Sequence, residues 1–118
     1  MAPTTSKVPD SFISSTTNDI PGYRVVEVKG TVYGLVARSR SWWATLGTLL
    51  KSIGGGELQG IKAMLYDARN DALRLLAEAC SQKKGNAIIG LRFDTTDLGA
   101  FTQVCAYGTA CVVERINR

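Results

Sequence analysis

Histidine is absent from all 118 residues, and cysteine occurs only three times, with no Cys-x-x-Cys spacing. The first absence removes the usual general acid or base near neutral pH and the commonest side-chain ligand of transition metals. Long hydrophobic runs are also missing, since no apolar stretch approaches the roughly 18 residues that a membrane-spanning helix needs. The sequence therefore predicts neither a transmembrane segment nor an enzyme built on histidine chemistry.

The three cysteines, Cys80, Cys105 and Cys111, are an odd number, which is typical of reduced thiols in a cytoplasmic protein rather than of a disulfide framework. Cys105 and Cys111 share one face of a predicted strand but lie roughly 20 Å apart at the strand rise. They cannot bind one ion within one chain, so they are metal candidates only if symmetry brings several copies to one axis. Cys80 is interpreted as a small buried apolar residue.

Charge is modest and spread along the chain. Fourteen Lys and Arg against ten Asp and Glu give a net charge of +4, and the basic residues form no dense block. Nucleic-acid sites normally collect such residues on one face or in one run, so no nucleic-acid partner is expected. The polar N-terminus lacks the basic and apolar pattern of a signal peptide. Residues 1–11 are predicted to be a flexible tail, and the protein is predicted to be cytoplasmic.

Hydrophobic periodicity predicts that residues 12–118 form a single α+β domain. Alternating β-branched residues indicate long strands, and apolar stripes with a 3.6-residue period indicate helices. The predicted strands are Tyr23–Ala37, Asn86–Asp94 and Phe101–Arg115, and the predicted helices are Trp42–Ile53 and Glu57–Gln82. The order strand, helices, strand, strand predicts a two-layer fold, in which the long helix and a short helix pack on a three-stranded antiparallel sheet. Phe12–Ser15 could add a short edge strand.

Two glycines interrupt the apolar face of the first predicted strand. Gly30 and Gly34 have no side chain, so each would permit either a β-bulge or the close approach of another backbone. The strand otherwise places Val26, Val28 and Val32 on the face that should contact the helix, together with Val36.

The other face of the predicted sheet has no helix to cover it. Its apolar residues, which alternate with charged ones, would be Tyr33, Leu35, Ile88, Cys105, Tyr107, Cys111 and Val113. Such a mixture, with tyrosine and arginine present, is typical of protein interfaces. Tyr33, Arg92, Asp94 and Tyr107 are therefore the candidate residues of an oligomer interface or channel. The alternative is a twisted face that the N-terminal segment partly covers.

Two adjacent tryptophans, Trp42 and Trp43, lie in the short predicted helix near several basic residues. Aromatic and basic residues on an amphipathic helix are typical of a helix that lies on a membrane surface. The pair is therefore a candidate for contact with a higher assembly or a membrane, although packing on the core or a neighbouring subunit is favoured. Adjacent helix positions point about 100° apart, so Trp42 is expected to be the more buried of the two.

Four segments together resemble the YbjQ-like family, whose label is heavy-metal binding. They are Ile20–Gly30, Ala68–Leu73, Gly85–Asp94 and Gly108–Val113. The resemblance covers residues 12–115, and the segments follow the order found in the family. It implies a fold similar to that of dodecin subunits and assembly into ring-shaped homopentamers. The family has no established activity or catalytic residues to carry over.

These observations predict a non-enzymatic, self-assembling protein, a homopentamer with a structural, scaffolding or sequestration role, whose partner is itself. The alternative is a protein that binds a small ligand or a heavy-metal ion at subunit junctions. No cofactor and no catalytic residue is expected.

Overall fold

The structure is a computed structural model that describes residues 12–39, 41–42, 44, 57–97 and 99–116 of the chain. The tail predicted over residues 1–11 lies outside the described residues. The strands are β1 (Ile13–Ser14), β2 (Tyr23–Ser39), β3 (Ala87–Asp97) and β4 (Phe101–Arg115), and the helix α1 is Glu57–Gln82.

The sheet has four strands in the order β1-β3-β4-β2 and is mixed. β4 pairs antiparallel with both β2 and β3, whereas β1 pairs parallel with β3. The prediction of a three-stranded antiparallel sheet with a long and a short helix was therefore wrong. A strand of two residues shows no alternation of its own, and its partner lies far along the chain, so the local pattern could not reveal a parallel pair.

The short helix predicted over Trp42–Ile53 falls mostly on residues 43 and 45–53, which lie outside the described residues. Of that range, only Trp42 and Ala44 are described, and α1 is the one helix with defined bounds in the described part of the chain. The three residues described between 41 and 53, Ser41, Trp42 and Ala44, are helical.

The bounds predicted for the long helix, Glu57–Gln82, are confirmed. Its buried side chains recur every four residues, at Ala68, Ala72, Leu76 and Cys80, because that spacing keeps them on one face. This face contacts the sheet at β2 and β4. The core contains Val32, Val36, Ala72, Leu76, Cys80, Ile88, Leu91, Val104, Ala106 and Ala110.

At Gly34 the backbone of β2 lies directly against the backbone of α1. A Cβ built at Gly34 would collide with backbone atoms of Ala72 and Leu76, so only glycine lets the two elements approach this closely. Gly30 has a φ of 112° and lies where β2 shifts its register against β4. Each glycine was expected to permit either a bulge or a close approach of backbone, and the structure has the close approach at Gly34 and the register shift at Gly30.

Bulges also explain where simple alternation assigned the wrong face. β2 shifts its register twice within residues 25–30, and β3 shifts once within residues 89–92. An extra residue on one strand moves the following side chains to the opposite face. Val28, predicted to be in the core, is 63% exposed, and Ile88, predicted on the uncovered face, is fully buried.

The end of α1 forms a Schellman motif. The Gly85 N–H donates to the Cys80 carbonyl at 3.0 Å, and the Lys84 N–H donates to the Ser81 carbonyl at 2.9 Å. Lys84 has a φ of 69°, a left-handed conformation that glycine adopts without steric cost.

Replacing Lys84 with glycine is therefore expected to raise the free energy of unfolding by about 1 kcal/mol, since the left-handed conformation costs other residues roughly that amount. Urea unfolding followed by circular dichroism measures the change. The control is Lys83→Gly, one residue earlier, where no positive φ is relieved and a loss of stability is expected. A loss for Lys84→Gly would contradict the strain at this position.

Candidate functional site

The predicted interface residues lie on the face of the sheet opposite α1. In the register of the sheet Tyr33 pairs with Tyr107, which pairs with Arg92, so these three residues form one row across β2, β4 and β3. In the next row Cys105 of β4 pairs with Asp94 of β3. Tyr33 is 63% exposed. The structure therefore brings all four candidate residues together in two neighbouring rows.

The N-terminal segment covers the other end of this face. Ile20 packs with Ala87, Cys111 and Val113 in a second apolar cluster, against which Ile13, Tyr23 and Ile89 are packed. Successive strand residues point to opposite faces, and Ala110 belongs to the core under α1, so Cys111 faces the side away from the helix. The face is thus divided: the N-terminal segment covers one part, as the alternative interpretation expected, and the rows of Tyr33 and Cys105 are left open.

Arg92 is held at the border between the two parts. Its Nη1 donates to the Thr16 carbonyl at 2.8 Å and to the Leu91 carbonyl at 2.9 Å. The Leu91 N–H donates in turn to the Ser15 carbonyl at 3.0 Å. These bonds fix the guanidinium against the chain between β1 and β2, so its position on the face is set within one subunit.

The two cysteines predicted as metal candidates are not brought together. Cys105 is half-buried on the open face, whereas Cys111 is fully buried in the second cluster. Cys80 instead approaches Cys111, because the Sγ atoms of both contact the Ala87 carbonyl oxygen, at 3.4 Å from Cys80 and 3.6 Å from Cys111. Sequence reasoning missed this thiol pair, because one member is on a helix and the other is on a strand whose register only the fold reveals.

A bound metal ion needs several ligand side chains close together. Among the described residues, no group of three or more His, Cys, Asp or Glu side chains is placed to hold an ion. Structural zinc sites in proteins almost always use four such ligands, so the described part of one chain does not fit an ion of that kind. The pair of sulfurs at Ala87 is the largest convergence of thiols that it offers.

Burial raises the pKa of all three thiols, and the neighbouring Asp94 raises that of Cys105 further. The thiolate is the reactive form, so iodoacetamide at pH 7 is expected to modify the folded protein slowly, with Cys105 first. The rate should increase as the pH rises beyond about 8.5, the ordinary thiol pKa. Peptide mapping by mass spectrometry follows each cysteine, and rapid modification of Cys80 or Cys111 at pH 7 would contradict their burial.

An ionic network joins the end of β2 to α1. The Arg38 Nη2 lies 3.2 Å from Asp71 Oδ2 and 3.9 Å from Asp67 Oδ2, and its guanidinium carbon is 5.8 Å from the centre of a Trp42 ring. Arg74 extends the network to Asp71 at 3.2 Å. Sequence reasoning missed the contacts of Arg38 with Asp67 and Asp71, since these opposite charges lie on different elements.

Trp42 is half-buried, and its backbone N–H donates to Ser39 Oγ at 3.3 Å. Trp43 lies outside the described residues, so the difference expected between the two tryptophans stays a prediction. In the part of the chain that the structure describes, no helix is both long enough and apolar enough to span a membrane.

Comparison with known proteins places these features in a family. A family model described as YbjQ, "Putative heavy-metal-binding", matches residues 12–114. A UPF0145 protein of Acidothermus cellulolyticus is 50% identical over 103 residues, which cover 86% of this chain and 95% of the relative. A UPF0145 protein of Thermoplasma volcanium is 42% identical over 108 residues, which cover 91% of this chain and 88% of the relative.

A solved structure is similar in fold. It is a DUF74-family protein with unknown function from Pediococcus pentosaceus, matched with a TM-score of 0.54 over 89% of this chain and all of the other chain. The two sequences are 18% identical, so the likeness concerns the fold alone.

Proposed function

Because this chain belongs to the YbjQ (UPF0145) family, we propose that it is a non-enzymatic protein that assembles with copies of itself into a ring-shaped homopentamer. Its role in this proposal is structural, scaffolding or sequestration. Three free thiols fit the reducing cytoplasm, where we place the protein. The open sheet face is the observation that carries the proposal.

The open face is unusually apolar for a surface in contact with water. Tyr33 and Leu35, neighbours on the same side of β2, are 63% and 53% exposed. Tyr107 and Cys105 pair with them on β4 and extend the apolar area across the sheet. Contiguous exposed apolar surface of this kind marks interaction sites, because covering it removes it from water.

Arg92 and Asp94 border the apolar area on β3 and give it a polar rim. Interfaces combine an apolar centre, in which tyrosine is enriched, with a polar edge. In this proposal Tyr33 and Tyr107 lie at the centre of the contact or line the channel of the ring, and Arg92 and Asp94 lie at its margin.

Native mass spectrometry tests the proposal. The expected species has five times the 12.7 kDa mass of the chain. Tyr33→Asp should dissociate it, because a ring brings one new carboxylate from each copy towards one axis or contact, where like charges repel. Tyr66→Asp is the matched control, since Tyr66 is 62% exposed on α1, away from this face. A wild-type protein that stays monomeric at micromolar concentration would overturn the proposal.

A second candidate function is the binding of a soft heavy-metal ion, which the convergence of Cys80 and Cys111 on the Ala87 carbonyl favours. Thiolates select soft ions, and binding would have to displace both thiol protons, so affinity should rise with pH. The test is retention of Hg(II) through desalting, measured by elemental mass spectrometry. Cys80→Ser should lose the ion and Cys105→Ser should keep it. The reverse result would exclude the buried pair and favour a site at subunit junctions.

A further inference from the structure

Among the residues that the structure describes, both edges of the sheet are open along part of their length. β2 has 17 residues and pairs only with β4, so its outer edge has no strand beside it in the described chain. At the other edge, β1 pairs with the first two residues of β3, Ala87 and Ile88. Beyond Leu91, whose N–H donates to the Ser15 carbonyl, the outer edge of β3 also has no strand beside it in the described ranges. Unpaired peptide groups along an edge are a template for another strand.

The open parts of these edges are regular. The bulges of β2 lie within residues 25–30, so Thr31–Ser39 pairs continuously with β4. On β3 the register shift lies before Arg92, so Arg92–Asp97 also pairs continuously. Proteins commonly protect an exposed edge with proline, bulges, a very short strand or charged side chains. Neither segment has any of the first three, whereas Arg92–Asp97 carries three charged residues.

The two open segments also lie in the same rows of the sheet and run in the same direction. Across the sheet, Tyr33 and Arg92 belong to one row, and Arg38 and Asp97 both pair with Thr102 in another. Both strands run antiparallel to β4, so they are parallel to each other. A rotation about an axis can therefore bring β2 of one copy beside β3 of the next, at the same level and in parallel.

We propose that subunits join edge to edge, with Thr31–Ser39 of one copy pairing in parallel with Arg92–Asp97 of a second copy. The inference rests on the proposed self-assembly and adds which backbone edges meet. The second copy is the fitting partner because the same chain supplies both open edges, and head-to-tail pairing that closes on itself leaves neither exposed. A closed sheet would turn the row of Tyr33 and Tyr107 towards the axis, with the helices outside.

Disulfide trapping tests this arrangement. In a Cys105→Ser background, Leu35→Cys is combined with Asp94→Cys, because these residues occupy the same row at opposite edges and are both exposed. Within one chain β4 lies between them, two strand spacings of about 4.8 Å, which is too far for a disulfide. Oxidation with diamide should therefore link neighbouring copies and give a ladder of covalent oligomers on a non-reducing gel.

The controls distinguish the edge pairing from the self-assembly on which it rests. Leu35→Cys combined with Thr96→Cys covers a stagger of one row, and each single cysteine variant should give no ladder. A native oligomer that yields no ladder with either pair would overturn the edge pairing while self-assembly stands. Covalent dimers from Leu35→Cys alone would also overturn it, since they require two β2 edges to meet. A monomeric wild-type mass would reject both proposals.

Discussion

Gly34→Val is expected to lower the free energy of unfolding by about 3 kcal/mol or more, since even smaller additions to a close-packed core typically cost 1–3 kcal/mol. A Cβ at this position would occupy the space of backbone atoms of Ala72 and Leu76. Backbone cannot rotate aside as a side chain can, so α1 must move away from β2 to admit the new atoms. That movement would open the core around Val32, Val36 and Leu76.

Urea unfolding at fixed protein concentration measures the loss, and Gly34→Ala should give a smaller loss in the same direction. The control is Gly99→Ala. Gly99 has a φ of 90° and open space around its Cβ position, so alanine there strains the backbone by about 1 kcal/mol without any collision. Similar losses at the two positions would show that α1 does not lie against β2 as closely as observed.

The contact at Gly34 also illustrates which parts of the fold local sequence predicts. The long helix was predicted to the residue, because a 26-residue element repeats its apolar spacing many times and ends at a recognisable C-terminal signal. Gly34 was recognised as a place where another backbone could approach, since a glycine within a strand has no side chain to keep that backbone away. What it approaches, Ala72 and Leu76, followed only from the packing of the helix.

The short edge strand considered within Phe12–Ser15 is present as β1, but its parallel pairing and the bulges show where local sequence fails. Two residues carry no period, and the stability of β1 depends on a parallel partner, Ala87–Ile88, far along the chain. A bulge moves the side chains that follow it to the opposite face, and within residues 25–30 only Gly30 indicated a possible bulge, whereas nothing indicated the shift between Val25 and Glu27. The exposure of Val28 and the burial of Ile88 are the direct consequences.

The candidate site divides in the same way. Tyr33, Tyr107, Arg92 and Asp94 were placed on one face correctly, because β2 after Gly30, β3 from Arg92 onward and the facing part of β4 pair without a register shift. Cys105 and Cys111 were also placed on one face correctly, since both lie on the side of β4 away from α1. Cys111, however, is buried in the second cluster, and its sulfur and that of Cys80 both contact the Ala87 carbonyl oxygen. A thiol pair formed between a helix and a strand depends on how the two elements pack. The spacing of residues within one element does not predict that packing.

Leu76→Ala is the second substitution with a large expected effect. Leu76 is fully buried between α1 and the sheet, and removing its methyl groups leaves a cavity that the neighbouring backbone at Gly34 cannot fill. Truncations of buried leucine to alanine cost about 2–5 kcal/mol, from lost burial together with the cavity. We expect a loss near the middle of that range, about 3 kcal/mol, in urea unfolding.

The same substitution at Leu65 separates burial from residue type. Leu65 lies on the same helix but is 42% exposed, so Leu65→Ala removes less apolar contact and should cost about 1 kcal/mol or less within one subunit. Unfolding midpoints must be compared at several protein concentrations, because association stabilises the folded chain by mass action. A concentration-independent loss at Leu76 with little change at Leu65 is the expected pattern. Equal losses that grow on dilution would mean that Leu65 is covered by a neighbouring subunit, and that the outer face of α1 belongs to the assembly as well.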